Sequence, residues 1–520
     1  MPTPVEIAAP AQCPNRRAWL FPVIATVVVA AVLRLWATAG LSLVVTNDGT
    51  GYIQMAERFS RGEGMLVGVL RTPGYPAMLG VVVWLCGTSP VAVLLFHHAL
   101  GCVSAGLTAF AGTHVAGRRT GLAVGILFAI DPWMLGLEGY LLTEAAAVTA
   151  MIAVVAMALC SRASSGSGWV SRGALLGVLL AAGCLIRPAM QSLVPFVGLA
   201  WLVRAVVASG GVRRGLGSGI LAGAAVAAGF VVVSAPWLVH NARRDVRGFA
   251  RGTELVPWIG FATNGLLDDT FALDEVMARE YATFKALPVN DFSIWQFFDN
   301  TQMLSSPERL ATLGAWCKAS AIKNPGGYAR AGLLAAAWQL NIFPKSGTHH
   351  DNETRRYLRG VSVDATQWKA PAPNLHTAGV DPAVTRPLEM WGRGGPLRTF
   401  MTWFADKVPE GLHQVPLFAF GVLASVRALV RRDWGAALVF AGVMAFWGAH
   451  VAMLAPYSRY AMPAWGAWYI ATAYSLSGRR TGASSTEPGR VPDLASESRP
   501  FRGVDGRIDS AAASDKVSRA

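Results

Sequence analysis

Asp48 stands where chemistry is expected at a membrane border. A long apolar run from about Trp19 to Val45 ends, and the carboxylate follows in Thr46-Asn47-Asp48-Gly49-Thr50-Gly51-Tyr52. An amphipathic segment comes next, and then Arg71-Thr72-Pro73-Gly74-Tyr75-Pro76. An acid at the point where a first span leaves the bilayer suggests a reaction site at the membrane surface. A second acid, Glu144, opens a later apolar run on the same side in Tyr140-Leu141-Leu142-Thr143-Glu144. Carboxylates in such places act as general bases toward a hydroxyl or amine, or bind a metal. The plainer readings are that Asp48 caps the segment after it and that Glu144 is a favourable charge in the first turn of its helix. Asp131, ahead of Pro132-Trp133, reads as a cap or turn.

A basic set complements these acids. Arg71, Arg187, Arg243, Arg244 and Arg459 all map to the outer boundary, where topology rules do not favour them. Arg187 is the sharpest case, joining two apolar runs in Gly183-Cys184-Leu185-Ile186-Arg187-Pro188. A guanidinium at that depth requires a partner or a water-filled cavity. Its planar fork of donors matches phosphate oxygens. The alternative is that these arginines snorkel to lipid headgroups. His97-His98 lies inside an apolar run, and adjacent helical residues diverge by about 100°, so the two cannot easily share one metal. His349-His350-Asp351 lacks third and fourth ligands at fixed spacing. No nucleotide-binding loop is persuasive, which favours a lipid-linked substrate drawn from the bilayer.

The elements that position these residues follow from composition and hydropathy. The chain has 520 residues, 53% of them hydrophobic and 15% charged, which is too apolar for a soluble protein. Apolar runs lie at roughly 18–43, 90–112, 119–138, 143–160, 173–186, 188–205, 216–237, 412–430, 434–453 and 458–476. Several reach the roughly 18–20 residues needed to cross a bilayer. The formal charge of +14 is carried by residues set mostly between those runs. That distribution fits topology signals and lipid phosphates, and argues against nucleic acid as a partner. Arg16-Arg17, Arg118-Arg119, Arg162 with Arg172, Arg213-Arg214, Arg431-Arg432 and Arg479-Arg480 should be cytoplasmic. Ten spans satisfy all of them, with both termini inside. The first run lacks a small-residue cleavage site and reads as a retained span.

The segment Gly74–Gly87 is about 14 residues, or roughly 21 Å as a helix, and would put Arg118-Arg119 outside if it crossed. It therefore reads as an interfacial or re-entrant helix on the outer side. Gly215, Gly219, Gly223 and Ala227 form a small-residue packing stripe. Only Cys317 of the six cysteines lies in the polar insert, which excludes a disulfide framework there. The Tyr328–Leu340 stretch of that insert is amphipathic and reads as lying on the membrane. The expected divisions are 1–17 (cytoplasmic), 18–237 (a membrane module with its first outer loop at 44–89), 238–411 (an outer insert), 412–476 (the last spans) and 477–520 (a disordered tail).

In order along the chain come Asn47-Asp48 with Tyr52, Gly62-Glu63-Gly64, Arg71 to Pro76, Pro132-Trp133, Leu142-Thr143-Glu144, Arg187-Pro188, Pro236-Trp237, His240-Asn241-Ala242-Arg243, Ser458-Arg459-Tyr460 and Pro463. This series resembles the GT-C membrane glycosyltransferases, in the branch of protein O-mannosyltransferases, lipid A aminoarabinose transferases and their bacterial relatives. The resemblance covers about residues 18–476, less about 265–410. It implies an all-α polytopic fold, a GT-C-like bundle of about ten spans with an outer interfacial helix. It also implies transfer of a sugar from a polyprenyl-phosphate donor to a glycan, lipid or protein acceptor on the outer face of a bacterial inner membrane.

By that resemblance Asp48 would be the catalytic base of an inverting displacement, with Glu144 beside it. Arg71, Arg187, Arg243, Arg244 and Arg459 would hold the donor phosphate. Tyr52, Tyr75, His240, Asn241 and Tyr460 would position substrate. Asn47 stands where many relatives carry the first acid of a pair. His240 stands where they often carry Arg, which moves the phosphate contact to Arg243 or Arg244. No cofactor is assigned; a divalent metal is compatible, with no ligand assigned. The competing classes are a non-enzymatic lipid or glycolipid transporter, and a polysaccharide polymerase or ligase using lipid-linked substrates.

Overall fold

The computed structural model describes residues 18–38, 43, 47–63, 71–161, 166–209, 212–244, 246, 248–250, 255–287, 291–340, 411–454 and 462–477. Each of the ten apolar runs forms helix. In chain order the helices are α1 (Leu20–Thr38), α2 (Asn47–Ser60), α3 (Gly74–Cys86), α4 (Pro90–Ala116), α5 (Arg118–Ile130), α6 (Pro132–Glu138), α7 (Glu144–Cys160), α8 (Gly166–Ile186), α9 (Val194–Ala208) and α10 (Val212–Ala242). The insert supplies α11 (Leu255–Thr263), α12 (Glu275–Lys285), α13 (Asp291–Asn300), α14 (Pro307–Lys323) and α15 (Pro325–Gln339). The last three are α16 (Gly411–Val430), α17 (Trp434–Ala452) and α18 (Met462–Leu476). Among the described residues there is no strand. Among the described residues, six helical stretches are long and apolar enough to cross a membrane, and the bent pair α5–α6 makes a seventh. The protein is an all-α, multi-pass membrane protein.

The departures from the expected runs have local causes. The run at 119–138 is broken by 52° because Asp131 ends α5 and caps α6. Its Oδ1 accepts from the Trp133 and Met134 amides at 2.9 and 3.4 Å, with Pro132 in the first turn. The run at 188–205 begins as a 3-10 helix, Pro188–Leu193, since Pro188 cannot continue α8. Helix α18 has only 15 residues, yet almost every one is buried. A helix apolar all round belongs in the middle of a bundle, and Trp465 and Trp468 fill that centre. Helix α1 is the opposite case. Thr26, Ala30, Arg34 and Ala37 face inward, while Phe21, Ile24, Val28, Val32 and Leu35 are exposed on the other side.

Contacts along the helices fix their directions. Trp19 meets Phe110 edge-on at one end of the α1–α4 pair (5.5 Å), and Arg34 crowds Gly101 at the other. The two helices are therefore antiparallel, and the end of α1 and the start of α4 lie on one side of the bundle; α3, at 13 residues, is shorter than a crossing helix. Helices α8 and α10 run parallel, Gly173 lying on Ala222 and Gly177 on Val226. The small-residue stripe on α10 packs on α9, with Gly215 and Gly219 against Val206 and Gly223 against Leu202. Arg118, Arg172, Arg213 and Arg431 thus share one end of the bundle, while Glu144, Arg187 and Arg243 share the other.

The insert has its own aromatic core. Trp258 and Trp316 are fully buried, and Trp258 stacks on Phe297 at 4.8 Å. This cluster sits on the end of α17, where the Tyr328 hydroxyl donates to the Ala452 carbonyl at 2.6 Å. Helix α15 buries Ala331 and Ala335 and exposes Leu333, so the 328–340 stretch is one-sided.

Candidate active site

Four segments converge at the Glu144 end of the bundle. The first is the opening turn of α2. Gly49 lies so close to the chain before α7 that a Cβ there would come within 2.7 Å of the Leu141 carbonyl oxygen. Only glycine permits that approach, and it brings the backbone turn carrying Asn47 and Asp48 beside the segment that leads to Glu144. The side chains of Asn47 and Asp48 lie outside the described residues.

The second segment is the turn before α3. The Arg71 guanidinium lies 4.5 Å over the Tyr52 ring and against Gly51. Positions 48, 51 and 52 share one face of α2, being separated by three and four residues. Arg71 therefore lies along the face that includes position 48. Tyr52 also meets Tyr75 edge-on, with ring centroids 5.0 Å apart.

The third and fourth segments are the start of α7 and the end of α8. Glu144 Oε1 and Arg187 Nη1 are 3.3 Å apart, with side chains only 4% and 8% exposed. Arg187 does not snorkel to a headgroup, because it is buried against a carboxylate. The Thr143 hydroxyl lies 3.5 Å from Glu144 Oε2. A Cβ on Gly74 would come within 2.6 Å of the Leu185 carbonyl oxygen, so the start of α3 abuts the last turn of α8. The Thr72 hydroxyl donates to the Ile186 carbonyl at 3.3 Å.

The structure thus brings the α2 turn, Tyr52, Arg71, Tyr75, Glu144 and Arg187 into one cluster. His240, Asn241, Arg243 and Arg244 occupy the end of α10 and the turn after it. His240 stacks on Trp237 (5.1 Å) and lies 3.4 Å from Arg244 Nη1. Asn241 donates to the Gly248 and Phe249 carbonyls at 2.8 and 3.0 Å, which engages its amide in holding that turn. Arg243 is exposed. Arg459, Tyr460 and His349-His350-Asp351 lie outside the described residues. Among the described residues, no group of three His, Cys, Asp or Glu side chains could hold a metal ion.

One network escaped the sequence reading. Arg34, fully buried in α1, forks onto Glu138 at the end of α6. Nε lies 2.8 Å from Oε2, and Nη2 lies 2.6 Å from Oε1. His98 Nδ1 is 2.8 Å from the same Oε2. His97 Nδ1 is 2.9 Å from the Glu138 backbone carbonyl, and its Nε2 is 2.8 Å from the Tyr75 hydroxyl. The adjacent histidines reach one residue because Glu138 offers acceptors on two sides. The available signal was Arg34 itself. A charge within a span requires a partner, and Glu138 is the acid that follows the Asp131 break.

No family model and no curated protein matches the sequence. Among solved structures, the chain is similar to the Archaeoglobus fulgidus oligosaccharyltransferase AglB in complex with an inhibitory peptide and a dolichol-phosphate. Identity is 12% and the TM-score 0.44, over 88% of this chain and 50% of that one. It is also similar to ArnT from Cupriavidus metallidurans bound to undecaprenyl phosphate, at 14% identity and a TM-score of 0.33, over 85% of this chain and 77% of that one. The chain spans about half the length of the archaeal enzyme.

Proposed function

We propose that this protein is an integral-membrane glycosyltransferase that moves a sugar from a polyprenyl-phosphate donor to an acceptor hydroxyl on the outer face of a bacterial inner membrane. The observation that carries the reading is the convergence of Arg71 and the buried Glu144–Arg187 pair on the first turn of α2. Acids and guanidinium groups from distant segments meet there at one end of a membrane bundle. The arginine-rich opposite end is taken as cytoplasmic.

In this mechanism Arg71 and Arg187 hold the donor phosphate, joined by Arg243, Arg244 and Arg459 around the outer rim. Asp48 takes the proton of the acceptor hydroxyl as its oxygen attacks the anomeric carbon. One bond forms, from acceptor oxygen to anomeric carbon. One breaks, from anomeric carbon to phosphate oxygen, and its electron pair leaves with the polyprenyl phosphate. The configuration at that carbon inverts. The leaving phosphate gains a negative charge while Asp48 loses one by protonation, so the total charge of the site is unchanged. Fixed guanidinium groups favour the shift of charge onto phosphate, since their dipoles and charges need no reorganisation as it develops. Glu144 and Tyr52 orient the acceptor and Asp48, and Glu144 keeps Arg187 aimed until the phosphate arrives. The insert provides acceptor selectivity.

The test compares cell-envelope glycans from a strain lacking the protein with those of its complemented parent by mass spectrometry. The reading expects a covalent product lighter by one sugar in the deleted strain, restored on complementation. Identical glycans with altered distribution of a lipid-linked sugar across the membrane would instead indicate a transporter.

A further inference from the structure

The buried side chains between Arg34 and Arg71 form an unbroken series. Arg34 holds Glu138, the Glu138 backbone carbonyl holds His97, and His97 holds Tyr75. Tyr75 meets Tyr52 edge-on, and Tyr52 carries Arg71 over its ring. His97 and Tyr75 are both wholly buried. From these contacts we infer that His97 is a positioning residue for the candidate site, fixing Tyr75 and through it the Tyr52–Arg71 pair. The inference rests on the proposed function only in taking Arg71 as a contact of the donor phosphate.

Elementary chemistry sets the direction of the bonds. A backbone carbonyl can only accept, so His97 Nδ1 carries the proton and donates to Glu138. Nε2 is then a bare acceptor, and the Tyr75 hydroxyl must donate to it. The Tyr75 proton is therefore turned inward, toward His97, and its ring has one orientation. A buried aromatic ring held at its polar tip is a fixed surface for its neighbour. Tyr52 packs on that surface from α2, whose first turn also holds position 48. A phenylalanine at 75 would keep the ring and lose the hydroxyl that orients it. Glutamine at 97 could reproduce both bonds, its amide donating to the carbonyl and its oxygen accepting from Tyr75.

The test is hydrogen–deuterium exchange on the full chain in detergent micelles, with binding of a polyprenyl monophosphate measured on the same samples. His97→Leu and Tyr75→Phe should each raise amide exchange in residues 47–60 at least tenfold over wild type. Combining them should add nothing further, and His97→Gln should restore most of the protection. His114→Leu, on the same helix as His97 but at its other end, should leave residues 47–60 unchanged. Wild-type protein should bind the lipid phosphate, with affinity at least fivefold lower in His97→Leu. Unchanged exchange over 47–60 in Tyr75→Phe, with α4 alone loosened by His97→Leu, would make His97 a packing residue and overturn the inference. If wild type bound no lipid phosphate while the exchange pattern held, the relay would stand and the donor assignment would fall.

Discussion

Glu144 and Arg187 meet 3.3 Å apart with both side chains almost wholly withdrawn from solvent, joining the first turn of α7 to the end of α8. Removing one partner leaves a buried, uncompensated charge, which costs about 3–5 kcal/mol, whereas replacing both with groups of similar shape is far milder. Arg187→Met and Glu144→Gln should each lower the melting temperature in detergent. The double variant should recover most of that loss while remaining inactive in sugar transfer. Recovery of transfer along with stability would make the pair purely structural.

The Arg34–Glu138 pair lies deeper, and its loss separates folding from donor use. Glu138→Gln removes the counter-ion of a fully buried guanidinium, with a destabilisation of about 3–5 kcal/mol. It keeps the backbone carbonyl that His97 uses. Thermal unfolding should therefore shift strongly, while the KM for the donor in the protein that folds should stay within about twofold of wild type, too small a change to register as even 1 kcal/mol of binding. A large rise in KM with unchanged melting would contradict this division.

Arg71 rests on the Tyr52 ring through its planar guanidinium, and that stacking is worth about 0.5–2 kcal/mol. Arg71→Lys keeps the charge but loses the planar fork. Donor KM should rise several-fold in Arg71→Lys and further in Arg71→Ala, with a smaller effect from Tyr52→Leu in the lysine background than in wild type. Additive effects of the two substitutions would separate Arg71 from Tyr52.

The insert carries an acid-sensitive contact. The Lys323 ammonium, 2.6 Å from Asp268 Oδ1, together with the Thr270 amide, holds the Asp268 carboxyl down at about 2. A carboxyl lowered on folding contributes stability above its unfolded value, near 3.9, and loses it as pH falls toward 2. Pepsin cleavage within residues 255–340 should therefore increase as pH drops from about 4 to about 2. Asp268→Asn should be cleaved more readily at the upper end and change less across the range. An identical profile in the two proteins would remove Asp268 as a contributor.

The ten helical runs were legible because each is an apolar stretch, and among the described residues six of them, or seven with the bent α5–α6 pair, reach the length a bilayer requires of a crossing segment. Asp131 was legible as a cap because its carboxylate and the proline after it act within one turn. The partner of Arg187 was not, since sequence gives neither the rotation of α7 against α8 nor the contact between Gly74 and the end of α8 that closes the site. Arg34 and Glu138 lie 104 positions apart, and hydropathy treats each as an isolated interruption. That His97 and His98 both meet Glu138 was not legible, because the glutamate presents a carboxylate and a backbone carbonyl in different directions and lies 41 and 40 positions away from them. The insert resisted assignment because its helices are short and of mixed polarity, and its order comes from Trp258 and Trp316, which are remote in sequence.

The central claim is that the opening turn of α2 supplies the base for sugar transfer. The most direct measurement is complementation of a deleted strain with Asp48→Asn, read by mass spectrometry of the envelope glycan, with the variant present in the membrane at the wild-type level and melting at the wild-type temperature. The account predicts that the glycan stays one sugar short. A glycan restored to full mass by Asp48→Asn would contradict it.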